Sequence, residues 1–330
     1  MLTEWLKFVM GGLNSKRSSS IPRLLSVRSI NSESERSTSS RSLLRTSSCR
    51  TSFREWSPFP TDITMITLNG SEVLVVVDYK NELLKTFSQS GNKELTLDGL
   101  PYRLSKLTNG KVALTFPLSR EIQVISLQRM TVVQVIPTEK MYAGITSVSK
   151  MRNVLAVGTL REEPASIDFI DMRGSVLKSF KHDQFGNAIC ITPSFLGSTP
   201  SGDILISDHS MHALICISQK GDIQWRHQPH KGDNFLEDPV GVACFNGDNV
   251  FLVDRLRGCV FLFTHRGWCH GPVIETSNIF SEPFSICTDR KGTVYVGMDD
   301  GDIQVYPDGG TAEMTNFRTV IDLPRRQRIT

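Results

Sequence analysis

From Trp56 onward, short apolar runs alternate with turns rich in Gly, Asn and Asp. One unit reads Ile63-Thr64-Met65-Ile66, then Asn69-Gly70-Ser71, then a continuous run from Val73 to Asp78. The turn Tyr79-Lys80-Asn81 follows, then Leu83 to Phe87 and Ser90-Gly91-Asn92. A later unit repeats the order: Val242 to Phe245, Val250 to Asp254, the turn Arg255 to Gly258, and Cys259 to Phe263. Alternation over a few residues, bounded by turn formers, predicts antiparallel strands joined by tight turns. The second run of each unit is apolar throughout, which predicts a strand covered on both faces.

A short phrase opens each unit. It reads Phe59-Pro60-Thr61-Asp62-Ile63, Leu100-Pro101-Tyr102-Arg103-Leu104, Asp238-Pro239-Val240-Gly241-Val242 and Glu282-Pro283-Phe284-Ser285-Ile286. Weaker copies occur at Met141-Tyr142-Ala143-Gly144-Ile145 and Phe185-Gly186-Asn187-Ala188-Ile189. With anchors at 60, 101, 142, 186, 239 and 283, the steps are 41, 41, 44, 53 and 44 residues. Strand-built repeats of that period predict an all-β, six-bladed propeller over 57–320. The long step places an insertion around Phe195–Ser201. Either Ala312–Thr319 or a segment near Ser52–Ser57 supplies the last outer strand.

The remaining chain reads differently. Residues 1–12 are briefly apolar, with Leu2, Trp5, Leu6, Val9 and Met10 near helical spacing. Residues 13–56 are rich in Ser and Arg and predict a disordered tail; residues 321–330 are a basic stub. Net charge is +3, but residues 1–56 hold ten Lys/Arg against four Asp/Glu. The repeat region is therefore no strongly basic nucleic-acid binder as a whole. The N-terminus has an acid near its start, no basic n-region and no small-residue cleavage site, so no secretory signal is expected. No apolar run approaches the ~20 residues of a membrane helix. Seven cysteines, none in C-x-x-C spacing, fit buried free thiols in a reducing, cytoplasmic setting, with no structural zinc site.

Runs such as Val250 to Asp254 followed by Gly258 to Phe263, Ile204 to Asp208 with Ala213 to Ile217, and Val73 to Asp78 resemble NHL repeats. Lys111 to Thr115 with Ile122 to Ser126 is similar to a second blade of the propellers that end tripartite-motif proteins. The repeat Asp stands in units one, four and five, and gives way to Thr115 or Phe116, Gly158 and Met298 in the others. In that family a RING and B-boxes precede the propeller and the propeller binds the ligase substrate. These 330 residues carry no such Cys/His array. The resemblance therefore implies a non-catalytic, protein- or peptide-binding part of a ubiquitin-ligase system. Single-stranded RNA binding is the alternative, and a metal-dependent propeller lyase or hydrolase a second one.

One propeller rim should collect the turns after each second strand and the connections between blades. The candidate partner-binding residues there are Lys80, Tyr102, Arg103, Arg120, Lys140, Arg161, His209, His212, Lys231, Arg255, Arg257 and Phe284. A ring of bases would suit a phosphate backbone or an acidic peptide, and Tyr102 and Phe284 would anchor or stack. Glu82, Glu121, Glu162, Glu163, Asp299, Asp300 and Asp302 lie in or beside the same turns and would neutralise much of that field. His182, His209, His212 and His230 fall in neighbouring loops without metal-ligand spacing. No nucleophile elbow, Walker loop or dinucleotide fingerprint occurs, so no catalytic residue and no cofactor are assigned. In the tail, Ser20, Ser26, Ser39 and Ser48 each follow an Arg by three residues, a spacing suited to basophilic kinases.

Overall fold

The computed structural model describes residues 58–245, 249–276 and 281–307, and the backbone of 319–322. The tail, its four candidate serines and the segment near Ser52–Ser57 lie outside the described residues. Six sheets of four antiparallel strands, each strand beside its chain neighbour, form a six-bladed β-propeller. The innermost strands are Pro60–Leu68, Leu104–Lys106, Tyr142–Ser147, Pro193–Ser198, Pro239–Phe245 and Pro283–Thr288. The second strands are Ser71–Asp78, Lys111–Phe116, Val154–Thr159, Ile204–Asp208, Asn249–Asp254 and Val294–Met298.

The continuous apolar runs are the second strands, and their burial explains them. Ile204–Asp208 and Val154–Thr159 are buried along their whole length. Six hydrophobic clusters hold the ring, each filling the space between two consecutive blades. Val75, Val77 and Leu84 meet Leu114, Phe116 and Ile125 between blades one and two. The last cluster joins Ile63, Leu74, Val76 and Phe87 of blade one to Cys287 and Ile303 of blade six. Closure rests on this packing and on a bond from Ser285 Oγ to the Pro60 carbonyl, 3.2 Å. Blade six takes its outer strand from Thr319–Asp322, so every blade is built from one contiguous stretch of chain. That strand lies just beyond the expected Ala312–Thr319 and extends past the expected propeller end at 320.

The fourth anchor requires correction. Pro193 pairs with Asp208 as Pro60 pairs with Asp78 and Pro239 with Asp254. Gly186 is instead the turn of a loop before the blade. The extra residues are 181–192, and Phe195 to Ser198 belong to the inner strand. Phe185-Gly186-Asn187-Ala188-Ile189 mimics the opening phrase without beginning an inner strand.

The Pro at these anchors has a physical reason: the first residue of an inner strand needs no ladder donor. A register shift follows it in blades one, four, five and six. Such a bulge takes a residue out of the ladder and re-aims its neighbours. The repeat Asp has an equally local explanation. Asp208 accepts the Ile191 and Thr192 amides (2.6 and 2.9 Å), the Thr192 hydroxyl (2.8 Å) and the Met211 amide (3.1 Å). Asp254 accepts the Glu237, Asp238 and Arg257 amides, and Asp78 the Phe59 amide with Asn81 and Lys85. Each carboxylate staples the incoming connection to the following turn. Where the Asp is missing, another group substitutes. Asp299 receives the Glu282 amide in blade six, and Thr115 receives the Arg103 amide in blade two.

Replacing Asp208 by Ala should therefore leave several donors without partners in a site closed to water. A loss of about 2–4 kcal/mol in urea unfolding is expected. A change within ~0.5 kcal/mol, the range of an ordinary surface substitution, would contradict the staple.

Candidate functional site

The rim formed by the blade connections and second-to-third-strand turns is where the sequence places a basic ring. The structure shows most of those bases committed to the protein itself. Arg257 donates through Nη1 to the Asp233 and Phe235 carbonyls (2.6 and 2.7 Å). Arg255 pairs with Asp238 through Nε and approaches Glu282 at 3.8 Å. Lys140 bonds Asp168 at 2.7 Å, and the same carboxylate takes the Tyr142 and Ser179 hydroxyls. Burial works to raise the Asp168 carboxyl, but these donors outweigh it and hold it below the usual carboxylate range. Lys80 sits 4.8 Å over the Phe59 ring. His212 Nδ1 meets the Glu237 carbonyl at 2.8 Å, and His209 Nδ1 the Thr192 hydroxyl at 3.2 Å. Burial pushes the His209 pKa down. Arg120 is exposed and donates to the Glu139 carbonyl; Arg161 and Lys231 are exposed.

Tyr102 and Arg103 are not rim residues. Arg103 is only 2% exposed and lies across the central channel. Its Nη1 donates to the Thr61 carbonyl of blade one at 2.8 Å and to the Tyr102 carbonyl at 3.2 Å. Its Nε donates to the Ser194 carbonyl of blade four at 3.1 Å. Thr61 and Ser194 sit at two of the inner-strand bulges, and their carbonyls are left available by the ladder. The guanidinium lies 4.1 Å from the Tyr102 ring centre, 3.6 Å from Phe195 and 5.2 Å from Phe284. Phe284 also packs on Phe59 and Phe195, with centroids 5.2 and 5.4 Å apart, so it is part of this collar.

The fourth residue of the opening phrase decides what enters the channel: Asp62, Arg103, Gly144, Phe195, Gly241 and Ser285. Arg and Phe fill it, and Gly and Ser make the space. A Cβ at Gly144 would come within 2.6 Å of the Pro193 carbonyl, and one at Gly241 within 2.9 Å of Ser285 Cα. Past Arg103 in the strand direction the channel continues as a cavity of about 130 Å³, lined by all six inner strands. Asp62 lines it, accepting the Ile63 and Leu104 amides at 2.9 Å each. Burial raises the Asp62 pKa to about 6, against the opposing pull of Arg103 and the two amides.

A second feature of the rim escaped the sequence reading. Blade four is flanked by the two longest described connections, residues 181–192 and 228–238. The first is an ordered hairpin: Ile189 N bonds Lys181 O and Asp183 N bonds Asn187 O. Asp183 accepts the Phe185 and Asn187 amides at 2.9 Å each, and Gly186 turns at φ 83°. The turn presents Phe185 at its tip, 79% exposed, with Ile191 55% exposed at its base. Leu256, on the blade-five turn of the same rim, is 54% exposed. The over-long step in the repeat is the available signal, but its excess lies before the inner strand Pro193–Ser198, not around Phe195–Ser201.

Among the described residues no three His, Cys, Asp or Glu side chains converge as a metal site. The six described cysteines are free, and burial pushes the Cys216, Cys244 and Cys259 thiols up to about 12. Among the described residues no helix is long and apolar enough to cross a membrane.

No family model and no curated protein matches the chain. Solved structures share its fold. A structure of streptogramin B lyase superposes with a TM-score of 0.61 at 14% identity, over 83% of this chain and 86% of that one. Virginiamycin B lyase from Staphylococcus aureus gives 0.59 at 15%, over 82% and 86%. Kuenenia stuttgartiensis hydrazine synthase gives 0.58 at 15%, over 78% and 79%. At these identities the likeness is one of propeller architecture, and NHL membership receives no support from it.

Two outcomes test this geometry. The Asp62 carboxyl should titrate near pH 6 by carbon-detected NMR, and removing the opposing cation in Arg103→Met should move its midpoint higher. Because the folded pKa is raised, the stability from neutral Asp62 is present below about pH 4 and lost as pH rises through about 6. A midpoint near 4 would show that the carboxyl is not desolvated. In native protein at pH 8, Cys190, Cys216, Cys259 and Cys287 should resist alkylation and react only after unfolding. Rapid native labelling at these positions would refute their burial.

Proposed function

We propose that this propeller recognises a protein or peptide and carries out no chemistry itself. Its contact centre is the blade-four rim. The observation that carries this reading is the hairpin of residues 181–192, which holds Phe185 and Ile191 in solvent on a stapled backbone. Long connections in a compact domain tend to be functional, and a fixed exposed aromatic is the usual anchor of a binding surface. The commitment of Arg255, Arg257 and Lys140 to internal partners supports a contact built on apolar anchors over a phosphate-binding ring. RNA is correspondingly the less favoured ligand. The resemblance of the repeats to tripartite-motif propellers supports substrate selection for a ubiquitin ligase as the setting.

The test is a quantitative pull-down comparing the intact chain with Phe185→Glu/Ile191→Glu and with the opposite-rim change Trp268→Glu. Partners should fall at least tenfold with the first variant and persist with the second. Equal recovery from all three would reject the blade-four rim. Crosslinking to single-stranded RNA that fades steeply with salt would favour the RNA reading instead.

A further inference from the structure

We propose that the central cavity is a binding site for a small monovalent oxyanion, of the size of formate, seated on Arg103. The guanidinium has one unused nitrogen. Nε and Nη1 are bonded to the Ser194, Thr61 and Tyr102 carbonyls, while Nη2 takes no partner among the described residues. Tyr102 and Phe195 lie against the guanidinium, so a further partner must approach in its plane. Arg103 is 2% exposed and lines the cavity, and Nη2 is not among the side-chain nitrogens sealed from solvent, so it is the part of the guanidinium open to a polar guest in that space. Asp62 does not serve: its oxygens accept the Ile63 and Leu104 amides, and among the described residues no ion pair joins it to Arg103.

The cavity's size and charge specify the guest. About 130 Å³ holds a few heavy atoms, and Thr64, Ser105, Thr146, Ser147, Ser198 and Thr288 line it with hydroxyls. Two cations, Arg103 and Lys106, face one carboxylate, Asp62. The blade-three and blade-four strands contribute no titratable group to the lining; blades five and six contribute only Cys244 and Cys287. Burial keeps both thiols protonated. The site therefore has an excess positive charge and suits an anion. Asp62 takes up one proton as the anion enters, which removes the only repulsive charge. This coupling makes affinity fall as pH rises above the Asp62 midpoint of about 6.

The experiment is an NMR titration of the intact protein with sodium formate, against sodium chloride at equal ionic strength. The Ile63 and Leu104 amides should shift saturably at pH 5.5. Affinity should drop about twenty-fold at pH 7.5, as one coupled proton requires. Asp62→Asn should abolish the pH dependence, and Arg103→Met should abolish binding. Should Arg103→Met not fold, the exposed Lys106→Ala serves, with affinity reduced several-fold in a folded protein. Absence of saturable shifts at pH 5.5, equal shifts with chloride, or pH-independent affinity in the parent chain would each overturn the proposal.

Discussion

One buried guanidinium organises the centre of this ring. Arg103 reaches from blade two to backbone carbonyls of blades one and four, and rings from blades two, four and six pack around it. A charge removed from water must find compensating partners, and here strand bulges supply them. The bulges, the glycines opposite and the aromatic collar are then one arrangement: each makes room for the cation or bonds to it. The channel is in consequence closed at the level of the collar and open beyond it.

The same principle operates at the rim on a smaller scale. Tight connections leave amides and carbonyls that no ladder satisfies, and buried polar groups need partners. The repeat carboxylates take up the amides, and Arg257, Arg120 and His212 take up carbonyls. Charged residues that look like a ligand-binding ring along the chain are thus largely consumed in holding the turns. The rim also exposes apolar side chains, at Phe185, Ile191 and Leu256.

The blades were legible because their signals are local. Alternation, turn residues and the buried second strand each lie within a few positions, and the Asp staple recurs with the period. The fourth anchor was not legible, since Gly186 and Ile189 reproduce the phrase and only pairing of Pro193 with Asp208 distinguishes them. Arg103 was misplaced for a different reason. Its partners lie 42 and 91 residues away, and only the closed ring brings them together. The bases on the rim were found by type, but whether a base is free depends on carbonyl positions that sequence does not display.

Ring closure without an exchanged strand has a topological consequence. Within and between successive blades, contacts join residues near in sequence, whereas the Ser285–Pro60 bond spans 225 residues. The entropic penalty of joining distant chain positions is therefore concentrated at the blade-six to blade-one boundary, although it grows only logarithmically with length. Since, among the described residues, no blade borrows a strand from the other end of the chain, that boundary is a seam in connectivity alone. A molecule whose ends were moved to another blade junction would have the same six sheets and a seam elsewhere.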